Sequence, residues 1–217
     1  MSAAWKTASP VLGVLEQSMS LAEAVEQALN EDGDIRGYCF SDEVLEAVEG
    51  RALEFSGCRF ERCVFGALDV SRISFVDCVF EKCEWSNARL VNATFQRVTF
   101  HHCRLTGMEW LRAVLMNTRF DGCMLDYASF SESRMDRVLF EDCRMRESLW
   151  ADVKFIKALF AKADLCRAQW IRTPLMGQDM SSCEIDGWSI SLFDLKGVKV
   201  TAQQLISLSG LLGVEIV

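Results

Sequence analysis

No apolar run in the 217 residues approaches the ~20 that a membrane span requires. The opening stretch, MSAAWKTASPVLGVLEQSMS, has neither a long apolar core nor a charge-then-cleavage arrangement, so a secretory signal is not predicted. There is no G-x-G-x-x-G, no phosphate loop, no H-E-x-x-H and no C-x-x-C, which leaves nucleotide, zinc-protease and dithiol chemistry without a motif. Histidine is scarce, with two residues that both fall in HHC at 101–103. His101 and His102 occupy outward positions and Cys103 an inward one, so the three do not converge on a metal ion. NAT at 92–94 matches a glycosylation acceptor, which has no role in a chain without a secretion signal. No catalytic residue, cofactor site or metal site is assigned, and the chain is read as a non-enzyme of the cytoplasm.

What the sequence does contain is a period of five. From Phe55 to Val200 every fifth residue is apolar, thirty positions in all. An α-helix would scatter such residues around all faces, and a flat strand would alternate them. A chain that turns a corner every five residues directs all thirty into one core. Two positions before each centre the residue is usually small, as an inward-pointing corner demands. Phe60, Phe80, Phe100, Phe120, Phe140 and Phe160 recur every twenty residues, and so do Cys63, Cys83, Cys103, Cys123 and Cys143. Twenty residues per coil means four sides, with identical residues stacked at the ~4.8 Å spacing of neighbouring strands. Residues 53–202 then form a solenoid roughly 36 Å long, in which each coil touches only its neighbours. Eight of the ten cysteines sit at the small corner position and are read as reduced, buried, hydrophobe-like thiols.

With this register the chain resembles the pentapeptide-repeat proteins, whose consensus is A-(D/N)-L-X-X. ADLCR at 163–167 matches it outright, and NARLV, NATFQ and YASFS match its A-x-(L/F) core. The resemblance implies an all-β solenoid, a right-handed quadrilateral β-helix with short helical caps at both ends. It implies no single function, because the architecture serves several.

Three segments follow: an acidic, partly helical cap over 1–50, the repeat over 51–200, and a C-terminal helix and edge strand over 201–217. Ser9-Pro10 is a helix-start pattern, Ser20 with Glu23 is a capping box, and SDEVLEAVEG at 41–50 is read as another short helix ended by Gly50. Thr201 is the expected N-cap and Gly210 the expected terminator of the last helix. That tail is similar to the C-terminal segment of the quinolone-resistance pentapeptide proteins, where the terminal helix and strand join two rods. A homodimer is therefore expected through Leu205, Leu208, Leu211, Leu212, Val214 and Ile216, with Leu205, Ile206 and Leu208 of the helix covering part of the rod's end.

The net charge of −8 and the pI near 4.9 invite comparison with duplex DNA. In the gyrase-protecting members of the family the rod imitates a duplex, so the resemblance implies DNA gyrase or another type II topoisomerase as a partner. The charge is unevenly placed, however: residues 1–50 carry −8 and residues 51–200 only +1. The face centred on Phe65, Trp85 and Leu105 is the most acidic and supplies the candidate partner surface, Glu84, Asp126, Glu147, Asp164, Glu184 and Asp186. Its net charge of about −2 falls far below the roughly twenty that a duplex of equal length carries. No loop interrupts the register. The alternative is a protein-binding scaffold, for which the outward apolar pairs Val91/Leu111, Leu139/Leu159 and Ile156/Met176 are the available surface. Neither nucleic-acid nor membrane binding is expected.

Overall fold

The computed structural model describes residues 6–31, 33–45, 52–66 and 68–213. The chain winds as a right-handed, four-sided parallel β-solenoid. Pairings between successive coils join residues twenty apart, for example Phe100 with Phe120 and Trp110 with Phe130. Two adjacent sides merge into eight-residue strands, Thr94–His101, Val114–Asp121, Arg134–Glu141 and Lys154–Ala161. The opposite side carries three-residue strands such as Glu109–Leu111 and Ser129–Ser131. The fourth is linked by single bridges, among them Glu84 to Arg104 and Arg104 to Met124.

The five-residue centres form the core. Phe60, Phe80, Phe100, Phe120, Phe140 and Phe160 lie face to face, with centroids 4.6, 4.8, 4.9, 4.8 and 5.1 Å apart. The coil rise imposes that spacing, and the ladder places like on like. Two residues after the centre the backbone turns the corner in the left-handed region. Among the described residues twenty that are not glycine adopt it, from Arg172 at φ 47° to Arg72 at φ 61°. That conformation disfavours L-residues by ~1 kcal/mol or more each, so the ladder bonds around every corner must hold it in place.

The solenoid begins earlier than the register from residue 53 suggests. Ile35 pairs with Phe55 and Phe40 with Phe60, and Leu45 is buried in the same core. Ile35, Phe40 and Leu45 keep the five-residue spacing, and Gly50 interrupts it at the next centre. The helix expected over 41–50 is accordingly absent from 41–45, which belong to this first coil; 46–50 lie outside the described residues. Ser9-Pro10 starts no helix either, since residues 6–20 run without helical structure. Helix α1, Leu21–Glu31, closes the N-terminal end by burying Leu21, Ala24, Val25 and Ala28. Its capping box is formed as expected: Ser20 N donates to Glu23 Oε2 at 3.0 Å, and Glu23 N donates to Ser20 Oγ at 3.3 Å.

At the other end α2, Ala202–Leu208, starts at Thr201 with a full capping box. Gln204 then donates through Nε2 to the carbonyls of Met180 and Cys183, both at 2.7 Å, and so seals part of the last coil. The helix does not stop at Gly210. A tighter turn, Ser209–Leu212, follows and ends at Gly213 with φ 65°. Gly210 needs no left-handed backbone there, whereas Gly213 does.

Candidate interaction surfaces

The corner residues stand in columns, each twenty residues above the last, and the columns pair opposite charges along the rod. Arg62 grips Asp42 through two nitrogens at 2.6 and 2.5 Å. Arg97 grips Asp77 at 2.6 Å through both, and Arg172 grips Asp152 at 2.8 and 2.5 Å. In each pair the base lies one coil after the acid. Fork-to-fork geometry of this kind is the strongest that guanidinium and carboxylate offer. The hydrogen bond from Arg97 holds the Asp77 carboxyl below its ordinary value against the opposing effect of burial. The bond from Arg172 does the same for Asp152. These columns went unread in the sequence, although an acid followed twenty residues later by an arginine was their signal.

Single-contact ion pairs reach the candidate acidic face as well. Glu84 meets Arg104 at 3.4 Å, Asp126 meets Arg144 at 2.5 Å, Glu147 meets Arg167 at 3.6 Å and Asp164 meets Arg146 at 2.5 Å. Asp126 is buried and also accepts from Arg146 N at 3.0 Å. Burial would raise the Asp164 carboxyl, yet hydrogen bonds from Arg146 and Cys166 carry it below its ordinary value. Asp186 accepts from Ser207 Oγ of α2 at 2.5 Å. Among the described residues Glu184 makes no ion pair. The six carboxylates do share one side of the rod, but four of them face a cation rather than open solvent.

The histidines do not cooperate. His101 Nδ1 lies 3.2 Å from Asp121 Oδ2. His102 packs over the bare Cα of Gly122, where an added Cβ would come within 2.4 Å of its Nδ1. Cys103 points inward and donates to Phe80 O at 3.5 Å.

Apolar exposure gathers in the C-terminal third. Of the residues expected to join two rods, Leu205 is 57% exposed, Leu208 is buried and Leu211 is half-buried. Ile206 is exposed beside Leu205, so of the three helix residues expected to cover the rod's end, Leu208 alone does so. Leu212 is described only as backbone, and Val214 and Ile216 lie outside the described residues. Ile171, Leu192 and Phe193 add an exposed cluster on a neighbouring side, with Phe193 78% exposed. That cluster was missed, because the sequence shows Phe193 only as one more apolar residue near the last coil. The three outward pairs also separate. Val91 is buried and Leu111, Leu139 and Leu159 are half-buried, whereas Ile156 and Met176 are exposed and line one groove.

That groove lies where the largest sheet ends. Val114, Arg134 and Lys154 each donate their N–H to the coil before, to Ala93, Ala113 and Ser133. The next residue of this column is Pro174, which has no N–H to give. The sheet ends there, leaving Lys154–Ala161 as its edge strand. The strand also bulges, so that Asp136 pairs with Lys157 rather than Ile156. Lys157 is not left-handed, whereas the corners above and below it, Arg137 and Gly177, are.

A four-sided coil with a five-residue period, small inward corners and stacked centres defines a class of repeat solenoid. The family model described as "Pentapeptide repeat region" matches residues 53–130 and 93–170. Together these span more than half of the sequence, and the chain belongs to the pentapeptide-repeat family. Among solved structures it is similar to a trypsin-treated form of QnrB1, a plasmid-mediated fluoroquinolone resistance protein, at 19% identity and a TM-score of 0.42. That match covers 85% of this chain and 100% of the trypsin-treated QnrB1 chain. It is also similar to HetL, a pentapeptide-repeat protein involved in heterocyst differentiation regulation from the cyanobacterium Nostoc. There the identity is 12% and the TM-score 0.33, covering 83% of this chain and 94% of HetL. No curated protein matches the sequence. No helix among the described residues is long and apolar enough to cross a membrane.

Proposed function

We propose that the protein is a non-catalytic binding rod that self-associates through its C-terminal end and presents its sides to a protein partner. The observation that carries this reading is the concentration of exposed apolar side chains toward that end. Ile156, Ile171, Met176, Leu192, Phe193, Leu205 and Ile206 all lie there, on a rod where Asp42, Asp77 and Asp152 are each paired with an arginine of the next coil. Leu205 and Ile206 stand next to each other on α2, and burying both against a second copy would remove apolar area worth ~1.5–3 kcal/mol per side chain. A two-fold contact suits such a patch, since each copy supplies the same residues. Sedimentation of the full chain at micromolar concentration should show a dimer. Leu205→Glu combined with Ile206→Glu should yield a folded monomer, and a wild-type monomer under those conditions would end the dimer reading.

A second reading, a type II topoisomerase such as DNA gyrase bound by partial imitation of DNA, is favoured by the net charge of −8. A supercoiling assay with and without a quinolone, across a titration of the protein, separates the two. Inhibition or rescue supports the topoisomerase. Neither, up to tens of micromolar, leaves the scaffold.

A further inference from the structure

The segment before α1 does more than lead into the helix. Glu16 completes the first corner, with its N–H donating to Gly37 O at 2.7 Å and its carbonyl accepting from Cys39 N at 2.8 Å. From there the chain turns along the rod, over the column of corners that contains Asp77, Arg97, Asn117, Arg137 and Lys157. Val11 N donates to Asp77 Oδ1 at 3.0 Å and Ala8 N to Asn117 Oδ1 at 3.3 Å. Three residues of this strap therefore advance by two coils. Extended chain covers ~10 Å in three residues, and two coils rise by nearly the same distance. The match is commensurate: three more residues of extended chain would span the next two coils of this column, from Asn117 to Lys157.

The strap shields what it crosses. The side chains of Arg97 and Asp77 are 29% and 15% exposed, whereas the equivalent bidentate pair Arg172 and Asp152, on another corner, is 71% and 40% exposed. The described strap is only partly anchored by apolar contact of its own: Pro10, Leu12 and Leu15 are half-buried, whereas Val11 and Val14 point into solvent. Two backbone bonds to side chains hold such a segment poorly without an apolar anchor at its far end. Level with Lys157 the rod offers a matching receptor: the groove of Ile156, Leu159 and Met176, flanked by Lys157 and Lys199.

We propose that Trp5 is this anchor, and that residues 1–5, which lie outside the described residues, dock their indole in the groove of the same chain. The indole fits on chemical grounds. Its ring covers Ile156 and Met176, its face accepts the Lys157 ammonium, and methionine sulfur packs well against aromatic edges. The docked segment would also screen the free edge of Lys154–Ala161, which otherwise invites pairing with a foreign strand.

Ile156→Cys in the full chain tests this, with maleimide labelling quantified on the peptide that carries residue 156. Labelling about tenfold slower in the chain with Trp5 than in its Trp5→Ala derivative is expected, as for a site that must open before it reacts. Equal rates overturn the assignment. Because the substitution trims the groove, a second measurement keeps Ile156. Benzoylphenylalanine replaces Trp5, and an equal mixture of isotopically light and heavy chains is irradiated and mapped. Adducts within one chain on residues 154–161 or 174–182 are expected. Adducts elsewhere, or none, overturn the proposal, and light-to-heavy adducts assign the groove to the N-terminus of a second copy instead.

Discussion

A thiol or hydroxyl donates to a core carbonyl at the same place in most coils. Cys63 donates to Phe40 O, Cys78 to Phe55 O and Cys123 to Phe100 O, each at 3.4 Å. Where the corner is serine or threonine the bond is identical in kind: Ser133 to Trp110 O at 3.0 Å and Thr173 to Trp150 O at 3.0 Å. Each side chain reaches back twenty-three residues to the carbonyl of an apolar centre in the preceding coil. The sequence alone identified these cysteines by size. Their second property, a hydrogen bond donated inside the core, was visible only in their exchange with Ser133 and Thr173 at equivalent positions. Burial pushes the thiols of Cys78, Cys103 and Cys183 up, which keeps them protonated and able to donate. Beside them the stacked centres tolerate no charge. Phe100→Asp should prevent folding or lower stability by ~4 kcal/mol or more, read by chemical denaturation, since an unpaired carboxylate would replace a ring fixed between Phe80 and Phe120. At the corners a milder, pH-dependent effect is expected. The Asp77 carboxyl is held below its ordinary value of 3.8, first by its hydrogen bond from Arg97. Its stabilisation is therefore complete above that value and disappears as pH falls through the lower, folded one. Asp77→Asn should melt earlier than wild type at neutral pH, and the gap should narrow below about pH 4.

At the scale of elements, the largest sheet stops where a proline replaces a backbone donor. Pro174→Ala restores a donor facing Val153, as Lys154 faces Ser133, and should extend the sheet by one strand. A rise in stability of ~1 kcal/mol is expected, with slow amide exchange appearing at residue 174. Unchanged exchange would show that the gap has another cause. The five-residue period gave away the coil because it is a geometric necessity, repeated at thirty centres. The first coil escaped that reading since Gly50 interrupts the count, although Ile35, Phe40 and Leu45 keep it. The groove was half legible: Ile156 and Met176 stood out as outward apolar residues, but the proline beside them carries no periodicity. The strap was not legible at all, because its two contacts, Ala8 to Asn117 and Val11 to Asp77, depend on how many coils lie between sequence-distant corners.

For the whole molecule, the polarity of the corner pairs matters as much as their number. Arg62, Arg97 and Arg172 each lean back on an acid of the preceding coil. Acids and bases are therefore interspersed along the rod's sides instead of presenting the uniform negative field of a nucleic acid. A partner that reads this surface would read apolar shape and local charge order, and its affinity should depend far less on salt than that of a phosphate-reading protein.

The twenty-residue register also makes the rod a vernier. Adding or removing twenty residues changes its length by ~4.8 Å and leaves every side facing as before. Adding or removing five barely changes the length but rotates everything beyond the cut by a quarter turn. Deleting residues 121–140 should leave a folded protein in which Phe160 stacks on Phe120 and Trp150 on Trp110. Deleting residues 121–125 should destabilise the junction, where Phe130 would then have to stack on Leu105. Thermal melts of the two variants check this, with small-angle scattering to confirm the shorter rod. The architecture thus separates reach from orientation, and a lineage can lengthen such a molecule by whole coils without re-aiming either of its ends.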